Sequence, residues 1–142
     1  MGYRNYWRAG TTPKKKKETP EDDAQKEIVK LLRDLRRFGL LLFFAVPNQL
    51  QRSKALRLIF HALGCESGVP DLVILLRGAR TVFIELKAGR QTKADKRSDS
   101  QRDFQAALVD FGFQVETIYC ESPIDGRKKT ADFLRRLGLA IS

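Results

Sequence analysis

Two cysteines and a single histidine leave this chain of 142 residues short of the side chains that several common chemistries require. Cys65 and Cys120 are too few and too far apart for a disulfide framework or a zinc ribbon, and both read as reduced, structural thiols. The lone His61 excludes the usual His-rich metal sites. Beside Phe60 on an expected helix, it reads as a structural or partly exposed side chain rather than a general base. No apolar run approaches the roughly 20 residues that span a bilayer, and the N-terminus lacks the apolar core of a secretory signal. An intracellular protein with no membrane partner is expected, in the cytoplasm or nucleoid if its source is bacterial or phage.

Acidic charge is scarce as well. Against 27 Lys and Arg stand 17 Asp and Glu, a net charge of +10 that attracts a polyanion by releasing its counterions. Nucleic acid therefore heads the list of partners. Arg4, Arg8 and Lys14 to Lys17 carry about half of the excess, and the segment 1–18 has no sustained periodicity. It is expected to be a flexible basic arm, serving either as a solvated tail or as a DNA-grasping one. The remainder, 19–142, has the length of one domain.

Thr19-Pro20-Glu21-Asp22 has the makings of a helix start: a capping hydroxyl, proline in the first turn, and acids favoured by the helix dipole. Ile28, Leu31, Leu32, Leu35 and Phe38 then fall at helical spacing and predict one buried stripe, closed by Gly39. At about 100° per residue Glu27 lies on the rim of that stripe, where it can face a cleft. Leu40 to Val46 is an unbroken apolar run that predicts a central strand, buried on both faces. Ala55, Leu56, Ile59, Phe60 and Leu63 predict a second helix ending at Gly64.

Asp71 to Leu76 and Thr81 to Lys87 read as a hairpin, and the Lys-rich stretch 88–97 as a loop. Ser98-Asp99-Ser100-Gln101 predicts a capping box opening a helix that turns Phe104, Ala107, Leu108 and Phe111 inward. Phe113 to Tyr119 alternates as a fourth strand, and Thr130 to Leu137 predicts a final short helix after an Asp125-Gly126 turn. The expected fold is α/β, in the order α-β-α-β-β-α-β-α: a mixed sheet of about four strands flanked by helices.

The segment richest in chemistry is Gly68-Val69-Pro70-Asp71, followed by Glu85-Leu86-Lys87. On a strand Glu85 and Lys87 share a face, while Ile84 and Leu86 point to the other. Whether Asp71 joins them depends on the hairpin. A two-residue loop sets Leu72 opposite Glu85, whereas a three-residue loop, Arg77-Gly78-Ala79, or a bulge sets Asp71 there. Two carboxylates from neighbouring strands, with Glu27 as a third and the Leu86 carbonyl as a further donor, are the hard oxygen ligands Mg²⁺ prefers. Lys87 is then placed to orient or deprotonate an attacking water, or to donate to a phosphate oxygen. Asn48, Gln49, Arg52 and Lys54 follow the first strand, and Arg90, Lys93, Lys96 and Arg97 follow the Glu-Leu-Lys strand. These two sets suit phosphate contacts rather than base reading.

Glu27, Val46-Pro47-Asn48, Gly68-Val69-Pro70-Asp71-Leu72, Ile84-Glu85-Leu86-Lys87 and Gln101 together resemble the VRR-NUC branch of the PD-(D/E)xK nuclease superfamily, over roughly residues 21–125. The resemblance implies a restriction-endonuclease-like fold and phosphodiester hydrolysis with Mg²⁺ or Mn²⁺. For stand-alone members it also implies homodimers acting on branched DNA such as four-way junctions. Carried over by position, it makes Glu27, Asp71 and Glu85 metal ligands, Lys87 the catalytic lysine, and Gln101 a residue that orients the site. The alternatives are a non-catalytic DNA-binding protein on a nuclease scaffold and a sequence-specific restriction-type nuclease.

Overall fold

The computed structural model describes residues 17–46 and 54–142. Among these residues four helices and four strands follow in the order α1 (Pro20–Arg37), β1 (Leu41–Ala45), α2 (Lys54–Ala62), β2 (Leu72–Leu76), β3 (Arg80–Ala88), α3 (Asp99–Asp110), β4 (Gln114–Cys120) and α4 (Pro123–Arg136). The sheet has the order β1-β2-β3-β4, antiparallel between the first three strands and parallel between β3 and β4. The expected mixed α/β architecture is the observed one. Among the described residues no helix is long and apolar enough to cross a membrane.

Helix α1 starts where its caps dictate. The Thr19 hydroxyl accepts from the Asp22 amide while the Asp22 carboxylate accepts from the Thr19 amide at 2.8 Å, a closed capping box with Pro20 in the first turn. Ile28, Leu31, Leu32 and Leu35 are buried as their spacing predicts, but Phe38, expected on the same stripe, is 79 % exposed. It is the C-cap residue, where the chain leaves the helix and the stripe no longer continues. α1 and α4 pack on each other and against the sheet. Alternation turns Leu72 and Ile74 of β2, and Val82, Ile84 and Leu86 of β3, into this core.

Further expectations fail, at β1 and α3 because of what packs against them and at α4 because a local cap outweighs a turn signal. β1 is an edge strand rather than a central one, with Leu42 55 % and Phe44 51 % exposed. An apolar run by itself does not distinguish a doubly buried strand from an edge strand with an uncovered apolar face. α3 exposes Ala107 and Phe111 and buries Gln105, with Phe104 and Leu108 half-buried. α4 begins at Pro123 rather than Thr130, because Ser122 caps it through the Asp125 amide and carries Asp125-Gly126 inside the helix. The glycine serves close packing there: a Cβ on Gly126 would stand 2.7 Å from Cys120 Sγ. Cys120 is buried, and burial pushes its thiol up to about 11. Cys65 is exposed, so only one of the two thiols serves the core as expected.

Candidate active site

The hairpin loop decides which side chains meet. Leu76 pairs with Arg80, which leaves Arg77-Gly78-Ala79 as a three-residue loop, with φ of 79° at Gly78 and 58° at Ala79. Leu72 pairs with Ile84, and one step further along the same register Asp71 stands opposite Glu85. The two acids therefore share a face, the one turned away from the α1/α4 core. Asp71 Oδ2 accepts from the Leu86 amide at 2.7 Å, which fixes the carboxylate against β3. This amide contact is what the structure shows of Leu86, whose carbonyl was the expected donor.

Gln101, in the first turn of α3, joins the other two. Its Nε2 donates to Glu85 Oε1 at 2.8 Å, and its Oε1 accepts from Lys87 Nζ at 2.9 Å. The same Oε1 accepts from the Ser98 amide at 3.0 Å, so one amide side chain closes the capping box and ties the site together. Lys87 Nζ stands 3.5 Å from Glu85 Oε1. Asp71, Glu85, Lys87 and Gln101 are thus brought into one cluster.

Burial governs its electrostatics. Asp71 and Glu85 are both buried, and loss of water pushes the Asp71 carboxyl up to about 6 and that of Glu85 up to about 7. The Leu86 amide pulls Asp71 part of the way back, while the Asp71 charge pushes Glu85 further up and Lys87 opposes that rise. Glu85 Oε2 is buried with no hydrogen-bond partner. A buried acceptor left bare costs about 1–3 kcal/mol, and more when charged, unless something outside the chain satisfies it.

Glu27 is not part of this cluster. Its carboxylate pairs with Lys30 on its own helix, and its Oε2 lies 3.9 Å from Arg127 Nη1 on α4. The rim position is as expected, but that rim faces α4. The α1 acid that reaches the site is Glu21, whose Oε1 accepts from the Ala88 amide at 3.3 Å at the end of β3, and whose charge raises both Asp71 and Glu85. Sequence reading passed over it because an acid in a first helical turn is already explained by the dipole. The available signal was its place at the very start of α1, the end nearest the strand termini.

A divalent cation fits these donors in one respect and departs from expectation in another. Two buried carboxylates, one with an orphaned oxygen, suit a hard cation. Among the described residues, however, no three Asp, Glu, His or Cys side chains stand as a ready-made cage, so the expected protein triad of carboxylates is absent. Water and substrate oxygens have to complete the shell, as is usual for Mg²⁺.

The peripheral candidates scatter. Arg90 is exposed and pairs with Glu121 at 3.3 Å, Lys93 is exposed on the loop after β3, and Lys54 opens α2. Asn48, Gln49 and Arg52, and residues 1–16 of the expected arm, lie outside the described residues. His61 is exposed, with Nδ1 3.9 Å from Glu66 and no part in the cluster.

Residues 19–121 match the family model of the VRR-NUC domain. A solved structure described as a VRR_NUC domain is similar with a TM-score of 0.50 at 19 % sequence identity, over 83 % of this chain and 97 % of that one. No protein of curated function matches the chain.

Proposed function

The chain belongs to the VRR-NUC family of nuclease domains, and on that premise we propose that it is a Mg²⁺- or Mn²⁺-dependent endonuclease acting on branched DNA such as four-way junctions. Asp71 and Glu85 would hold the cation, with Glu21 as the nearest further carboxylate on α1. The observation that carries this reading is the pairing of an orphaned buried oxygen, Glu85 Oε2, with a lysine positioned by Gln101 beside the same carboxylate.

A bound divalent cation supplies polarisation of the phosphate, a more acidic water and neutralisation of charge developing in the transition state. The protein's own part is positional. Gln101 holds Glu85 and Lys87 in fixed relation, so that Lys87 Nζ can orient an attacking water or donate to a phosphate oxygen. The backbone amide at Leu86 keeps the Asp71 carboxylate from swinging away. The net charge of +10 draws the polyanion in without reading sequence, which favours selection by DNA shape.

Cutting two strands of a symmetric junction takes two sites, hence a homodimer. Exposed apolar side chains on β1 and α2, Leu42, Phe44, Leu56 and Ile59 among them, are the kind of surface a second copy covers. Cleavage of junction, flap, nicked and linear duplex, each with Mg²⁺ and with a chelator, tests the reading. The junction is expected to be cut fastest and only with the metal. Cutting of linear duplex at fixed sites would point to a restriction-type nuclease, and binding without cutting of any substrate to a non-catalytic scaffold. Sedimentation at micromolar concentration is expected to give a dimer.

A further inference from the structure

Beside the carboxylate pair lies a cavity of about 670 Å³, within the size range of small-ligand sites, that the roles given so far leave unused. α2, the segment 65–69 and the start of α3 form its walls. That segment runs directly into Pro70 and Asp71, and the facing wall includes Gln101, which is bonded to Glu85 and Lys87. Gly68 brings the two walls together: its φ is +83°, and a Cβ there would stand 2.1 Å from the Ser100 carbonyl oxygen.

The lining is mixed. Leu58, Phe60 and Val69 give apolar surface and Lys54 and Arg57 give positive charge, while the one carboxylate, Glu66, stands 3.9 Å from His61 Nδ1. Along α2, Lys54, Arg57, Leu58 and His61 recur at i, i+3, i+4 and i+7 and so share one face, the one that lines the cavity. Leu56, Ile59 and Leu63 of the same region are exposed, as is Leu58 on the cavity side. A helix on a soluble domain ordinarily turns its apolar side inward, yet α2 turns cations toward the cavity. Apolar wall and cationic rim together match a ligand with a flat apolar body and an attached anion, which is the chemistry of a nucleotide.

In a paired duplex the base is stacked and out of reach, so the nucleotide has to be unpaired. We infer that this cavity receives one unpaired nucleotide of the strand whose phosphate lies at Asp71 and Glu85, its base against Phe60 and Val69 and its phosphate neutralised by Lys54 and Arg57. The inference rests on the nuclease reading and adds to it a way for the site to sense substrate structure. A branch, nick or bulge presents a nucleotide that is already free, whereas a continuous duplex has to unstack one first.

The test uses the full chain carrying Glu85→Gln to suppress cutting, with 2-aminopurine placed at each position in turn around the branch of a four-way junction. A fluorescence change on binding is expected at one position. Ser67→Trp, which fills the cavity from an exposed rim position, is expected to abolish that change and to weaken junction binding about tenfold, a loss of the size that base stacking carries. Linear duplex binding should stay within about twofold, and Phe60→Ala should also lose the signal. If the protein binds but no position responds, or the response survives Ser67→Trp, the inference fails and the nuclease reading stands. If the response behaves as expected but the parent protein cuts nothing, the nuclease reading fails and the nucleotide pocket stands. Absence of DNA binding overturns both.

Discussion

Single side chains show how strongly the site depends on the removal of water. Asp71, just before β2, stands opposite Glu85 on β3, and burial raises both carboxyls above the ordinary range, to about 6 and about 7. A raised carboxyl means that the folded state binds its proton more tightly than the unfolded state does. Its stabilising contribution is therefore full below about pH 4 and lost as pH rises through 6 to 7. At about 1.4 kcal/mol for each pH unit of displacement, the loss is on the order of a few kcal/mol for the pair. Asp125 is displaced the opposite way, held down by Lys129, so it acts at lower pH, outside this window. In a chelating buffer the melting temperature is expected to fall between pH 5 and pH 8. Mg²⁺ at pH 8 should restore it, and Asp71→Asn should flatten the profile. A chelated protein whose melting temperature is level across that range would contradict the assigned burial.

Elements explain which of these groups could be read from sequence. The capping boxes at Thr19 and Ser98 are local, and both α1 and α3 start where those residues put them. The hairpin alternatives differed in a single residue of loop, and the three-residue one brought Asp71 opposite Glu85. Gln101 was legible twice over, as a capping residue and as a site residue, and it is both. Most of what eluded sequence was a matter of the partner across the gap. The helical place of Gly126 follows from the Ser122 cap and Pro123, the same kind of local signal that starts α1, whereas the edge position of β1 and the exposure of Phe111 depend on what packs against them, which no periodicity records. The same holds for α1: rotation about the helix located Glu27 on a rim, but only the position of the helix over the sheet shows that its first turn, with Glu21, reaches the end of β3. Glu21→Gln is accordingly expected to slow cleavage at limiting Mg²⁺ by about tenfold or more, since a carboxylate near the cation is lost. Glu27→Gln, which weakens only partly exposed pairs with Lys30 and Arg127, should change the rate less than about twofold and stability by about 1 kcal/mol or less. Equal rates for the two variants, measured across a Mg²⁺ titration, would return Glu27 to consideration.

At the scale of the whole molecule, charge and shape divide the work. The excess of 27 basic over 17 acidic side chains supplies affinity for DNA that falls with salt and does not depend on the chemistry at the site. Hydrolysis, by contrast, is proposed for one place, where the start of β2, β3 and α3 bring Asp71, Glu85, Lys87 and Gln101 together. Binding and cutting should therefore separate cleanly. The most direct measurement is the single-turnover cleavage rate of a four-way junction, with saturating protein and Mg²⁺, for the parent chain and for Glu85→Gln and Lys87→Ala. Both variants are expected to bind the junction within a few-fold of the parent and to cut it on the order of 10²–10³-fold more slowly. A variant that cuts at the parent's rate would show that the reaction takes place elsewhere.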